Sequence, residues 1–430
     1  MRLFGDYNIK NNQLYLGKYK ISDLGDIYET PLYIYDENLI RENIRKCKDH
    51  FGENGKNIVA YAGKAFLVPY MCKILKEEKV SLDVVSGGEL YIAYTSGFPM
   101  ENVLFHGNNK SEQEISMGID LGVGRFVVDN FRELQLIEKI AMQKNKKVKV
   151  LLRVTPGIEV NTHKYIKTGS VDTKFGFSMI ENEYIKAVEK SIKSQNIDLV
   201  GIHCHIGSQI FDPKAYEYLS YTMMDIAKTI LEQFGYQIKE LDLGGGFGVY
   251  YNENDKSKEI QEYTSVILQS IKKRANELNM TVPTLIIEPG RFIVANSGIT
   301  VYKVGAIKKI PNVRKYVAVD GGMPDNIRPA LYDAKYEFVV ANKVYGHKVE
   351  NVTIAGKCCE SGDILIKDVY LPILEEGDTI AVLSTGAYGY SMASNYNMAL
   401  KPAVIFVNND DIKLVCKRQT FNDLLTSYVI

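Results

Sequence analysis

Tyr61-Ala62-Gly63-Lys64-Ala65 follows the apolar run Asn57-Ile58-Val59-Ala60 and precedes a helical pattern containing Met71, Ile74 and Leu75. The run predicts a buried strand with a lysine at its C-terminal end, an odd place for a charge. The stem of Lys64 can pack, but its ammonium needs solvent, a partner or a covalent bond. Read alone, Lys64 is either a snorkelling strand-end lysine or a Schiff-base lysine. The second needs an amine activated by partial desolvation and a neighbouring positive charge.

Outward from Lys64 the same alternation repeats. Short apolar runs occur at Ile58–Ala62, Leu82–Val85, Val103–Phe105, Arg125–Val128, Val148–Val154, Leu199–His205, Leu241–Leu243 and Leu285–Glu288. Amphipathic segments separate them, the clearest running from Asp212 as N-cap, with Pro213 in the first turn, to Gly235. Eight such runs over about 250 residues predict a parallel eight-stranded α/β barrel of the TIM type. A doubly wound open sheet would show fewer strands and a nucleotide fingerprint in its first turn.

Beyond Arg291 the pattern changes to short β-rich runs: Val301–Val304, Tyr316–Val319, Glu337–Val340 and Thr379–Val382. Val404–Val407 and Ile412–Cys416 flank Asn408-Asn409-Asp410-Asp411 and predict a hairpin, and Thr420 with Asp423 predicts a capped closing helix. The expected architecture is the barrel at 31–293 and an antiparallel β-barrel or sandwich domain at 294–430. Residues 1–30, read as extended, join the second domain. Pro31–Tyr35 is read as a strand, and Asp36 as the cap of a helix to about His50.

Fifty-two basic residues balance fifty-two acidic ones, so charge gives no reason to expect nucleic acid or an anionic membrane as partner. The start lacks an apolar signal core, no apolar run is long enough to span a bilayer, and the six cysteines form no Cys-x-x-Cys. These features lead us to expect a cytoplasmic protein.

Functional groups of such barrels sit at the C-terminal strand ends. Here these ends carry Lys64, Ser86-Gly87-Gly88, His106-Gly107, Arg153, His203 and His205, Gly244-Gly245-Gly246, and Glu288-Pro289-Gly290-Arg291. The triple glycine is either a flexible turn or a phosphate cradle, to which Arg291 adds a charged fork. His203 and His205 are two apart, so a strand would aim both into the barrel. They are core histidines or a flat imidazole against a cofactor ring, with Ser208 as a phosphate donor. No further metal ligand appears at a recognisable spacing, so no metal is expected. Glu288 is either an ion-pair partner of Arg291 or the carboxylate that keeps a pyridine nitrogen protonated. Taken together, these groups describe a site for pyridoxal 5'-phosphate.

Several motifs carry a resemblance along nearly the whole chain: Tyr61–Ala65, Asp83–Glu89, His203–Gln209, Gly244–Gly248 and Glu288–Arg291. They resemble the alanine-racemase-fold (type III) pyridoxal-phosphate decarboxylases. Ile327–Tyr332, Cys359–Asp363 and Gly386–Asn397 are similar to motifs of the diaminopimelate decarboxylases within that group. The resemblance implies decarboxylation of meso-2,6-diaminopimelate to L-lysine and CO2, the last step of lysine biosynthesis. A decarboxylase of another basic amino acid, of ornithine, arginine or carboxynorspermidine type, is the alternative. It further implies that Lys64 bears the cofactor, that His205 stacks on its ring and that Glu288 faces the pyridine nitrogen. Ser208, Gly245, Gly246, Pro289, Gly290, Arg291 and Tyr388 line the cofactor site. Arg291, Arg328, Tyr332, Glu360 and Tyr388 bind the substrate, and Cys359 is the proton donor. The resemblance implies a homodimer whose active sites are shared, with the Cys-Glu pair crossing the interface. One departure is Lys357, where the pattern carries proline, and Cys358 adds a second thiol.

Overall fold

The computed structural model describes residues 1–52, 55–157, 173–409 and 411–429. They form two compact units, one of Ile44–Val249 with Ser257–Phe292 and the other of Met1–Asn43, Tyr250–Lys256 and Ile293–Ile430. No helix among the described residues is long and apolar enough to cross a membrane.

The first unit is a closed parallel barrel. Its strands are Ile58–Ala62, Ser81–Val84, Val103–Phe105, Arg125–Val128, Val148–Thr155, Ile197–His203, Glu240–Asp242 and Thr284–Ile287. Each pairs in parallel with the next, and the eighth closes on the first through Ile286 opposite Ile58 and Ile287 opposite Val59. Ala60, Leu104, Val127, Leu151, Val200 and Ile286 form a buried apolar cluster supplied by six strands, as a packed barrel core requires. Strand starts are tied too: Arg125 grips Glu240 through two hydrogen bonds of 2.5 and 2.6 Å.

The helices begin and end where local chemistry dictates. Ser111 and Glu114 form a capping box on Glu112–Leu121, which stops at left-handed Gly122. The helix expected from Asp212 is Lys214–Phe234. Pro213 takes the N-cap position and Gly235 (φ +63°) the C-cap, while Asp212 Oδ1 accepts the Lys214 N–H. The helical φ of Pro213 moves the start by one residue.

The second unit centres on a twisted sheet ordered Ile364–Leu371, Glu350–Ala355, Arg314–Val319, Gly298–Ile310, Leu32–Asp36, Ala403–Asn408 and Asp411–Cys416. Phe338–Val340 pairs with Thr379–Val382, which pairs with Gly298–Ile310. The sheet is mostly antiparallel, but Arg314–Val319 runs parallel to Glu350–Ala355 and Ala403–Asn408 parallel to Leu32–Asp36. Leu32–Asp36 is buried throughout, has a strand paired along each edge, and belongs to this sheet. Asp36 Oδ1 then accepts the Leu39 N–H and caps Glu37–Phe51.

Residues 1–30, read as an extended strand or hairpin, form a hairpin and add a third short strand and a helix. Tyr7–Lys10, Gln13–Leu16 and Tyr19–Lys20 make a small sheet of their own, and Ile21–Ile27 is a helix. Ile21 and Leu24 are three apart and both buried, a helical rather than an alternating pattern. The segment joins its unit by packing Tyr7, Leu14 and Leu16 against Leu32, Ile299 and Val301, and through the Leu14 N–H to Ala341 O (2.8 Å). The hairpin Ala403–Asn408 with Asp411–Cys416 forms as expected, while Asp410 lies outside the described residues. Thr420 and Asp423 cap each other's backbone.

Candidate active site

Lys64 lies in the short turn Gly63–Ala65 directly after the first barrel strand, half-buried. A Cβ on Gly63 would stand 2.9 Å from Asp83 O on the second strand, so the corner that carries Lys64 is pressed against its neighbour. Strand six ends at His203 and not at His205. His205 therefore escapes the period-two geometry, and its Nδ1 accepts the Gly245 N–H at 3.3 Å. Burial, then the positive charges of Lys64 and Arg153, hold this imidazole well below its ordinary pKa. At neutral pH His205 is a flat, uncharged face.

Ser208 and Arg291 meet nearby, with Arg291 Nη2 and Nε donating to Ser208 Oγ at 3.0 and 3.3 Å. Arg291 is buried in the short helix Gly290–Val294, which Pro289 separates from Glu288. Two glycines are sterically obligatory. A Cβ on Gly245 would fall 2.1 Å from Glu288 O, and one on Gly246 (φ +97°) would fall 2.1 Å from Gly207 O. A Cβ on Gly290 would come within 2.8 Å of Ala62 Cβ. Main chain packs on main chain here, which suits an anion held by N–H groups beside a guanidinium.

Glu288, at the end of strand eight, is buried. Its Oε1 lies 2.8 Å from His106 Nε2 and 3.6 Å from His203 Nε2, and the two imidazoles stand edge to face with centroids 5.0 Å apart. Burial alone would raise the Glu288 pKa; His106 and then His203 outweigh it and hold the carboxyl well below the usual range. Asp242, from strand seven, goes the other way. Burial and then the Glu288 charge raise it well above the carboxylate range, while Gly244 N–H donates to its Oδ1 at 2.9 Å. Two carboxyls of one pocket are thus pushed in opposite directions.

Sequence spacing offered no metal ligand set, yet in the fold His106, Asp242 and Glu288 join His203, with one donor atom from each within 4.8 Å of the others. The 2.8 Å His106–Glu288 separation is too short for two ligands of one tetrahedral ion, which stand about 3.3 Å apart. It is the distance of a direct charge-assisted contact.

The remaining candidates lie in the second unit. Arg328 is buried at the head of helix Arg328–Tyr332, and its Nε donates to Tyr336 Oη at 2.7 Å. Its guanidinium stands 5.4 Å from the ring centre of Tyr332, 5.6 Å from Tyr388 and 5.8 Å from Tyr251. Tyr388 holds a left-handed φ of +61°. Cys359 and Glu360 are exposed on the turn before Ile364–Leu371, and Cys359 N–H donates to Asn397 Oδ1 at 2.9 Å. Buried Asp363 organises this turn by accepting the N–H groups of Cys358 (2.9 Å) and Met323 (2.6 Å). Burial and Asp363 push the Cys358 thiol up to about 11, which keeps it protonated at neutral pH. Lys357 N–H donates to Gly321 O at 2.9 Å, a bond that proline in its place could not make.

The carboxylate pocket was the part sequence reasoning missed. Asp242 stands inside Leu241-Asp242-Leu243 and Asp83 inside Leu82-Asp83-Val84. A charge within an apolar strand must be paired or neutralised, and that was the available signal.

A lysine at one strand end, an ionised buried carboxylate, a neutral imidazole and an arginine–serine pair fit a phosphorylated pyridine aldehyde. They define the class: a pyridoxal-phosphate-dependent enzyme on an α/β barrel with a β-domain. Residues 37–295 match the family described as pyridoxal-dependent decarboxylase, pyridoxal binding domain. The chain is 49% identical over 411 residues (95% of each chain) to diaminopimelate decarboxylase of Bacillus methanolicus. It is 48% identical to that of Bacillus subtilis, covering 94% of this chain and 92% of the relative. A diaminopimelate decarboxylase crystal structure from M. jannaschii superposes with a TM-score of 0.93 at 33% identity, covering 99% of this chain and 98% of the other. The chain belongs to the diaminopimelate decarboxylases, a family of pyridoxal-phosphate-dependent carboxy-lyases.

Proposed function

We propose that this chain removes CO2 from meso-2,6-diaminopimelate to give L-lysine, as a cytoplasmic homodimer with shared active sites. The observation that carries the reaction is the likeness, along 95% of the chain, to proteins named for it. A structurally similar diaminopimelate decarboxylase from M. jannaschii was crystallised with L-lysine, the expected product. Bound pyridoxal phosphate supplies an electron sink for the pair left behind when the carboxylate departs.

This chain's own residues hold and aim that chemistry. Lys64 offers the amine that retains the cofactor, and Arg291, Ser208, Gly245, Gly246 and Gly290 receive its phosphate. Glu288, ionised in its dry pocket, keeps the proton on the ring nitrogen. His205, uncharged, gives the ring a flat neighbour without competing for electrons. Arg328, with Glu360, Tyr332, Tyr388 and Arg291, reads the substrate's carboxylates and distant ammonium. The Cys359 thiol gives its proton to the carbon that lost CO2, and its exposure leaves it open to that carbon in a way Cys358 is not.

The test is CO2 release from a panel of meso-diaminopimelate, L-lysine, L-ornithine and L-arginine, with products identified by mass. Release from meso-diaminopimelate alone, with L-lysine formed, is expected. Comparable release from ornithine or arginine would overturn the substrate assignment.

A further inference from the structure

His106 has no part in the reading above, yet it touches the carboxylate on which that reading depends. It is the first residue after strand three, and its N–H donates to Val84 O at 2.7 Å, pinning its main chain to strand two. Gly107 follows with φ +120°, and a Cβ there would sit 3.2 Å from Val85 O. The backbone on both sides is thus fixed, and the imidazole is aimed inward at Glu288.

The groups around it explain why such a contact is needed. Glu288 shares a water-poor pocket with Asp242 and Asp83, and carboxyls so placed compete for protons. Asp83 Oδ1 is 3.6 Å from His106 Nε2, and Lys64 and Arg153 act on the same pocket from its rim. His203 is the more distant partner, its Nε2 3.6 Å from Glu288 Oε1, and burial lowers its pKa to about 3. A protonated Glu288 could not hold a second proton on a ring nitrogen, and the electron sink would be lost.

We propose that His106 is a positioning residue for the decarboxylation. Its Nε2, 2.8 Å from Glu288 Oε1, fixes both the orientation and the negative charge of the carboxylate that faces the cofactor ring. The proposal rests on the reading of Glu288 as partner of the pyridine nitrogen, and outer residues that orient such a group are typically worth about 10- to 100-fold in activity.

The test uses the holoenzyme loaded with pyridoxal phosphate labelled with 15N in the ring, whose chemical shift reports protonation directly. Glu288→Gln is the reference and should show the unprotonated ring. His106→Phe should retain cofactor, move the ring signal towards that reference, and lower kcat about 10- to 100-fold with little change in KM. His106→Gln, which restores a donor, should recover much of the wild-type shift. His106→Phe with bound cofactor and a wild-type ring shift would overturn the proposal. So would a His106→Gln variant whose ring shift stays at the Glu288→Gln reference, which keeps the test open should His106→Phe not fold. A stoichiometric divalent ion lost on replacing His106 would also overturn it. A wild-type shift in Glu288→Gln would instead sink the reading of Glu288, a separate and recognisable outcome.

Discussion

At the scale of single residues, charge is controlled by who shares the burial. Lys64 emerges from a tight corner, and its loss removes an amine without opening a core cavity, since the corner is built by glycine and alanine. Lys64→Ala should therefore abolish CO2 release and cofactor retention after gel filtration while its thermal midpoint stays within a few degrees of wild type. Asp325 shows the opposite control. It is buried in the second unit, accepts Gly322 N–H at 3.0 Å, and burial raises its pKa from 3.8 to about 7. The folded state thus binds a proton between pH 4 and 7 that the unfolded state has released. Its stabilising contribution is complete below about pH 4 and is lost as pH rises through 7. Asp325→Asn cannot lose it. The melting temperature of this variant relative to wild type should climb from pH 5 to pH 8, and a pH-independent difference would refute the assignment.

At the scale of elements, strands three and four are locked by a buried pair. Lys110 Nζ donates to Gly107 O (2.9 Å), Val127 O (2.8 Å) and Glu133 Oε1 (2.6 Å), and Glu133 Oε2 accepts the Asp129 N–H (3.0 Å). Lys110→Met strands a buried carboxylate and should cost about 3–5 kcal/mol in urea unfolding. Lys110→Met with Glu133→Leu removes both charges and should recover most of that; an equal or larger loss in the double variant would show that the pair itself stabilises. The elements themselves were legible in the sequence to differing degrees. The eight apolar runs mark the eight barrel strands within a residue or two, because a strand buried on both faces is apolar throughout. Strand six was placed two residues too late, since His203-Cys204-His205 continues the apolar pattern without continuing the ladder. The residues around Glu288 lie 46 to 205 positions from it in sequence, at 83, 106, 203 and 242, and only barrel closure brings them together. No local pattern encodes that meeting. The helix Ile21–Ile27 was missed because seven residues give barely two turns of periodicity.

At the scale of the whole molecule, Cys359 and Glu360 pose the remaining problem. Both are exposed in the single chain, on a turn held by Asp363 and Asn397. A proton donor works best where water cannot compete with it, so an exposed thiol needs a cover. The family resemblance supplies one in a second copy. A two-fold dimer has an isologous interface, so each subunit would lend its turn to the other's barrel. The expected outcome can be read by mixing two dead proteins, Lys64→Ala and Glu360→Ala. In a mixed dimer with shared sites, one site carries both defects and the other carries neither, so activity should return towards half the wild-type value per heterodimer. If each subunit used its own Glu360, every site would carry one defect and no activity would return. Native mass measurement must first show that subunits exchange. Once heterodimers are seen, silence in the CO2 assay rules out the shared site, because no arrangement of intact sites across the interface could then fail to turn over.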